Sequence, residues 1–381
     1  MLYLFYKRNA MEKSIFSKLF PGNLKFWEKN QKVVGIDIGS SSVKVVQLRR
    51  EKERAILETY GELATGPYVK RQIGQVVQLP EEVVVNMLKD LFKEASVTAT
   101  SAAVSIPVKN TFIAVIDLPL VSEKEMDEMV RLEARKYVPV PIKEVEINWQ
   151  IIGRSEEKAD GQKNEKLQLA EILLVVIHKE VIQKYRGVVE KLGLKMKLIE
   201  AEVFSAWRSV IFRPVAPVIV IDMGASSAKM SIVDAGVLRS TYTIDKGSQM
   251  ITDSISKSLN ISFERAEELK REVGLSTRPE YKELASVMES NLNFIFSEAR
   301  EFMLAYRKKN NKSVSQVFLT GGGAILNGVV DLAVKSLGVE TLRADSFAKM
   351  DYPAFLQETL KKIGPSFSTA SGLALKSLNH A

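Results

Sequence analysis

Val33-Val34-Gly35-Ile36-Asp37-Ile38-Gly39-Ser40-Ser41-Ser42-Val43-Lys44 returns in weakened form as Val218-Ile219-Val220-Ile221-Asp222-Met223-Gly224-Ala225-Ser226-Ser227-Ala228-Lys229. Both copies read Asp-x-Gly-[Ser/Ala]-Ser-Ser-x-Lys behind an apolar run of buried-strand type. Each continues into a second strand-like stretch, Val43 to Leu48 or Met230 to Val233, so the small residues occupy a strand-to-strand turn. A P-loop is different: its glycines lead a strand into a helix, and Gly-Lys-[Ser/Thr] closes the motif. A turn of Gly and Ser lets successive backbone N–H groups converge on an anion, and the hydroxyls add donors. Lys44 stands where a strand leaving the turn directs its ammonium at a phosphate. Asp37 and Asp222 suit Mg²⁺, often through water, because that ion prefers oxygen ligands and keeps much of its hydration. Ordinary hairpin turns use the same residues. Two copies in register, about half a chain apart, point instead to two related halves with a polyphosphate between them.

Three further segments complete a nucleotide site. Thr320-Gly321-Gly322-Gly323-Ala324 follows the apolar run Val317-Phe318-Leu319, and three glycines after a strand let a flat ligand lie against bare backbone. Glu267 and Lys270 share one face of a helix expected over Phe263 to Val273. They either grip a ribose or form a solvated ion pair; taken alone, the pair favours the second. Glu202, where a strand turns toward a helix, is a candidate to orient an attacking water, and Glu200 competes with it.

The order of these motifs resembles the actin-like ATPase superfamily: first phosphate loop, connecting helix, second phosphate loop, adenosine helix, glycine loop. The spacing Asp37, Gly39, Lys44 is similar to that superfamily's first phosphate motif, and Thr320 to Ala324 to its adenosine motif. Met126 to Val145, with Leu132-Glu133-Ala134-Arg135-Lys136-Tyr137-Val138-Pro139-Val140-Pro141-Ile142, resembles the PilM family of type IV pilus assembly and, more distantly, FtsA. The resemblance implies an α/β, actin-like ATPase fold in which two related domains flank a nucleotide cleft, with an inserted α+β subdomain, 1C, in domain one. It implies ATP and Mg²⁺ held by Asp37, Gly39, Ser40, Ser41, Ser42, Lys44, Asp222, Gly224, Ala225, Ser226, Ser227, Lys229, Gly247, Glu267, Lys270, Gly321, Gly322, Gly323 and Ala324. Asp37 and Asp222 would hold the metal, and Glu202 would orient water. It further implies a scaffold at the cytoplasmic face of the inner membrane. Such a scaffold docks the N-terminal peptide of a PilN-like membrane protein between subdomains 1A and 1C, with other pilus inner-membrane or motor components as further partners. Two departures matter. Gly247-Ser248 stands where relatives carry Gly-Gly, and Val203 follows Glu202 where cytoskeletal relatives and FtsA carry Pro. The second places ATP hydrolysis below ATP binding as an expectation: weak or absent turnover.

Composition sets the outer limits. A chain of 381 residues, 46% hydrophobic and 26% charged, has the material for two domains with sizeable cores. With no Cys it has no disulfide or thiol chemistry, which fits a cytoplasmic location, and two His residues cannot make a multi-histidine metal site. The net charge of +8 favours an anionic membrane surface or acidic partner, or simply a Lys-rich surface. No aromatic-interleaved basic motif is found, so nucleic acid is not an expected partner. No apolar run reaches the length of a membrane span.

Residues 1–32 read as a basic, amphipathic or disordered leader, with Ile15, Phe16, Leu19 and Phe20 at helical spacing. A start codon placed too early, with Met11 the true beginning, is a further reading. Domain one is expected over 33–214, including an inserted subdomain at 110–198. Domain two is expected over 215–381, with a helix after Ser371-Gly372 returning to domain one. Expected helices are Glu81 to Ala95, Glu123 to Tyr137, Glu180 to Leu192, Glu202 to Phe212, Ser248 to Leu259, Tyr281 to Lys309 and Ile325 to Leu337. Arg154 to Lys166 reads as a hairpin tip. The alternatives in function are an FtsA-like filament-forming division protein and a small-molecule kinase of the same superfamily. Asp117 is the only nearby candidate for the kinase's base.

Overall fold

The protein is described here by a computed structural model that covers residues 31–138, 140–158, 166–212 and 214–379. The expected leader helix, the Pro139 turn and the centre of the 154–166 tip lie outside the described residues. β1 (Lys32–Ile38) is a near-continuous apolar run. Its alternate side chains serve two cores: Val34 and Ile36 face one layer of helices, and Val33 faces another. A strand buried on both faces must be apolar throughout, which is why no polar alternation is visible in it.

β1 forms an antiparallel hairpin with β2 (Ser42–Glu51), which pairs with β3 (Arg54–Ala64). On the other side β1 runs parallel to β4 (Ser101–Ile106), which runs parallel to β8 (Lys195–Ala201). The second half repeats this plan. β9 (Val218–Met223) is antiparallel to β10 (Ala228–Asp234), which pairs with β11 (Val237–Ile244). β9 is also parallel to β12 (Gln316–Thr320), and β12 to β13 (Glu340–Arg343). The two five-stranded orders, β3-β2-β1-β4-β8 and β11-β10-β9-β12-β13, are the same order read twice.

One face of the first sheet is covered by α1 (Glu81–Glu94) and α3 (Lys179–Lys191), through Val84, Leu88, Leu91, Val188 and Val189. Its other face is covered by the final helix α10 (Ser368–Asn379), through Ala370 and Ala374. That helix starts at Ser368, ahead of the Ser371-Gly372 expected to precede it. Gly372 therefore lies inside the helix, where it meets α4 (Glu202–Val210): a Cβ on Gly372 would sit 1.9 Å from the Ser205 carbonyl oxygen. In the second half, α5 (Ser248–Leu259), α6 (Phe263–Val273), α7 (Lys282–Asn310) and α8 (Val329–Leu337) close over Ile219, Ile221 and Met223. The apolar stripe of α7 is core, with Leu284, Met288, Leu292, Ile295, Phe296 and Ala299 all buried.

A separate three-stranded sheet, β5 (Thr111–Pro119), β7 (Lys166–His178) and β6 (Val145–Lys158), carries α2 (Glu123–Ala134). Its core is its own, built on Ile116, Met126, Val130, Ile172 and Leu174. The expected insert of 110–198 is therefore too long at its end: α3 packs on α1, and β8 belongs to the first sheet. α2 opens on a capping box, with the Ser122 side chain accepting from the Glu125 N–H and the Ser122 N–H donating back to Glu125. It stops at Ala134, three residues short of expectation. Residues 135–137 tighten into i→i−3 turns, and Val138 precedes a proline in the sequence, where α geometry is disfavoured. The helix expected from Ile325 starts only at Val329, after a short 3₁₀ turn over Gly322–Ile325. The intervening Asn327 carbonyl is tied to the Leu275 N–H instead (2.9 Å).

Candidate functional site

The turns of the two repeated hairpins meet. Ser40 Oγ lies 3.2 Å from Ser226 Oγ, although the two residues are 186 positions apart. In each hairpin the antiparallel register sets a carboxylate opposite an ammonium: Asp37 opposite Lys44, and Asp222 opposite Lys229. Ser105, from the neighbouring β4, donates to Asp37 Oδ1 (3.0 Å). Burial raises the Asp37 pKa against the pull of Lys44. Lys44 Nζ donates to Ser42 Oγ (2.5 Å) and pairs with Glu62 on β3 (3.2 Å).

Lys229 bridges the two halves. Its Nζ lies 3.3 Å from Asp222 and 3.1 Å from Glu202, the first residue of α4. Burial alone would lower the Lys229 pKa, but Glu202 and Asp222 outweigh it and raise it. Glu202 also accepts the Val108 N–H (2.8 Å), and burial raises its pKa. Its competitor, Glu200, is not in the cleft. It is wholly buried beneath α10, where it accepts from Ser205 (2.6 Å), Arg208 (2.5 and 3.2 Å) and Lys376 (3.1 Å). Those cations overcome its burial and hold its pKa down at about 2.

A cavity of about 400 Å³ opens behind the paired hairpins. It brings together Asp37, Gly39, Ser40, Ser41, Ser42, Lys44, Glu202, Asp222, Gly224, Ala225, Ser226 and Lys229 with Glu267, Lys270, Gly321, Gly322 and Gly323. Three expected residues stand apart. Ser227 faces a second cavity on the opposite side of the hairpins. Gly247 underlies the second hairpin, where Ser248 and Gln249 donate their N–H groups to Gly224 and Ala225. Ala324 is fully buried behind the glycine loop. Glu267 and Lys270 form an ion pair (2.6 Å), but a buried one, shared with Thr252, which donates to Glu267 and accepts from Lys270. Lys270 outweighs burial and lowers the Glu267 pKa.

Sequence reasoning missed several residues of this site. Glu62, Ser105, Ile73, Gly74, Arg271, Ser366, Ser368 and Thr369 all touch the cavity or its polar groups. Arg271 was within reach, one turn after Glu267 on the same helix and paired with it (2.7 Å); the others carry no local motif, and among them only Ser366-x-Ser-Thr, just ahead of Ser371-Gly372, offered any signal. Asp117, the proposed base of a kinase, is exposed on β5 and lines neither cavity.

The second cavity, about 540 Å³, shares Gly39, Ser40, Glu202, Ser226 and Lys229 with the first. Its outer walls are Glu81 and Val84 of α1, residues 107–110, and Lys184, Tyr185 and Val188 of α3. Among the described residues no helix is long and apolar enough to cross a membrane, and no group of three or more His, Cys, Asp or Glu stands ready for a metal.

Two sheets of one strand order, each offering a serine-lined hairpin to a shared cleft, define an actin-like ATPase fold. Solved structures with that fold bear this out. EutJ, an ethanolamine utilization protein from Carboxydothermus hydrogenoformans, is 15% identical with a TM-score of 0.53, over 95% of this chain and 94% of that one. MreB 5 of Spiroplasma citri bound to AMPPNP is 12% identical with a TM-score of 0.52, over 92% of this chain and 97% of that one. Residues 35–378 match the family described as type IV pilus assembly protein PilM, and the chain belongs to that family. A structure described as a PilM-PilN type IV pilus biogenesis complex superposes with a TM-score of 0.75 at 22% identity, covering 91% of this chain and 98% of that one. Cell division protein FtsA of Bacillus subtilis is 24% identical over 340 residues, 80% of this chain and 76% of that protein. Against the FtsA proteins of Enterococcus hirae and Enterococcus faecalis, the matched stretch spans only 32% and 40% of their length.

Proposed function

We propose that this type IV pilus assembly protein binds ATP with Mg²⁺ between its two hairpins and serves as a scaffold for a PilN-like membrane protein. On this reading 33–214 and 215–381 are the two domains of a nucleotide clamp. The observation that carries it is the meeting of Ser40 and Ser226 over one cavity, each at the turn of a repeated Asp-x-Gly-x-Ser-Ser-x-Lys hairpin. Backbone N–H groups of both turns, the serine hydroxyls and Lys44 would hold the polyphosphate. The glycine loop 321–323 and the buried Glu267–Lys270 pair would hold the nucleoside end.

The donor set fits Mg²⁺. Two carboxylates, Asp37 and Asp222, reach one cavity, each set across its hairpin from a lysine. That suits an ion held by one or two carboxylates together with phosphate oxygens and water. Bound Mg²⁺ would neutralise charge on the phosphates. Glu202 would orient water, yet it is engaged by Lys229 and the Val108 N–H, and this supports slow turnover. ATP then acts chiefly as a structural ligand, stabilising the closed clamp by mass action.

The second cavity, between α1 and α3 and beside the inserted sheet, is the proposed seat of the partner's cytoplasmic N-terminal tail. Lys184 and Tyr185 offer a cation and an aromatic face there. Membrane attachment at the cytoplasmic face would come through that partner. The test pairs two titrations of the full chain, one with a fluorescent ATP analogue and Mg²⁺, the other with a synthetic PilN-like tail peptide in a calorimeter. Saturable binding in both is expected, with Lys184→Glu weakening the peptide alone. Absence of nucleotide binding defeats the ATP reading, and absence of heat with the peptide defeats the docking reading.

A further inference from the structure

Residues 65–79 link β3 to α1 by a route longer than the connection needs. Gly66–Val69 forms a 3₁₀ turn, and the remainder has no regular structure. The two ends of the excursion are clipped to the same point. The Ser40 carbonyl, in the first hairpin turn, accepts from both the Thr65 hydroxyl (3.2 Å) and the Val77 N–H (2.9 Å). Between those clips the chain makes a compact loop of the Ω type. Its tip leaves its own half of the molecule.

The tip reaches the second half at two places. Gly74, at φ +91°, lies so close to Glu267 that a Cβ there would be 2.7 Å from the carboxyl carbon. Both its left-handed backbone and this approach require glycine. Two residues on, the Val76 N–H donates to Gln249 Oε1 (2.6 Å). Gln249 is itself fixed to the second hairpin, since its own N–H donates to the Ala225 carbonyl (3.1 Å). A continuous run of hydrogen bonds therefore goes from Ser40, through the loop, to Gln249 and Ala225. It passes over the cavity, whose wall includes Ile73 and Gly74 opposite Glu267.

We infer that residues 65–79 form a strap over the nucleotide cavity, latched to the second half by Gln249, and that unlatching it sets the rate at which nucleotide leaves. This rests on the nucleotide reading given above. The strap has the properties of a gate. Its ends are anchored to a rigid hairpin, its middle lacks regular structure, and Arg71, Gln72 and Ile73 are exposed. Its catch on the far side is one hydrogen bond between neutral groups, which opens far more often than a packed core does.

The test uses the full chain with Mg²⁺ and a fluorescent ATP analogue, chased with excess ATP in a stopped-flow instrument. Gln249→Ala removes the acceptor and leaves the backbone bond to Ala225. Release is expected to accelerate about 3- to 10-fold, the range one neutral hydrogen bond commands. Hydrogen exchange supplies an independent readout: amides 74–77 of the wild type are expected to gain protection when the analogue binds, and to lose that gain in Gln249→Ala. An unchanged release rate overturns the strap. So does faster release without a change in exchange at 74–77, which would locate the effect in the second hairpin alone. A wild type that binds no analogue overturns the nucleotide reading, and the strap with it.

Discussion

Glu200 offers the sharpest quantitative test, because it separates an anchor from a water-orienting group two residues away. Its carboxylate is fully buried and shared by Arg208, Ser205 and Lys376, so it joins β8, α4 and α10 at one point. Its pKa of about 2 lies below the ordinary 4.5. A carboxylate depressed on folding stabilises the protein fully above its unfolded pKa, and that stability is lost as pH falls toward the folded value. The gap corresponds to about 3 kcal/mol at neutral pH. Breaking a buried ion pair by removing one partner costs about 3–5 kcal/mol, an independent figure of the same size. Glu200→Gln is therefore expected to lose about 3 kcal/mol in urea unfolding at pH 7. The wild type should lose about 2 kcal/mol from this group between pH 7 and pH 3, while the variant loses none of it. Nucleotide affinity, measured well below the unfolding transition, should stay the same. A variant as stable as the wild type at pH 7 would refute the anchor, and one that kept its fold but lost nucleotide binding would put Glu200 in the cleft.

Other outcomes follow from the same geometry. Lys44→Ala should weaken binding of an ATP analogue about 10- to 100-fold, the loss of one charge-assisted contact, with its melting temperature within a few degrees of wild type. Chelation of Mg²⁺ should lower wild-type affinity for ATP, and should matter much less in Asp222→Asn, where a fluorescence titration with and without chelator reads the difference. Gly372→Val drives a side chain into the Ser205 carbonyl, which is backbone and cannot swing aside. It should cost about 3 kcal/mol, seen as a lower denaturant midpoint.

How much of this was written in the sequence depends on distance along the chain. The hairpins are local: an apolar strand, a small-residue turn and a returning strand occupy a dozen residues, so period and turn chemistry suffice to read them. The duplication of the fold follows, since the second copy implies the second sheet. Helix ends were less legible. α2 gives way before Tyr137, whose ring stacks on Phe112 at 5.4 Å, a contact with no trace in helical periodicity. The choice between Glu200 and Glu202 is harder still. They straddle the junction of β8 and α4, where the side-chain repeat changes, so one carboxylate turns into the core and the other into the cleft. The strap was invisible because its meaning lies in Gln249, 173 residues beyond Val76. The length of the insert was misjudged for the opposite reason: α3 and the start of β8 follow it without a break, and only the packing of α3 on α1 and the pairing of β8 with β4 reassign them.

The placement of α10 governs how the polypeptide must be made. Strand β1 leaves the ribosome well before α10, yet the face holding Val33, Val46 and Leu48 is sealed by Ala370, Ala374 and Leu378, translated more than three hundred residues later. Until then the first sheet shows bare apolar surface, a hazard for aggregation in a slowly emerging chain. The half that is translated first is thus the half that is finished last.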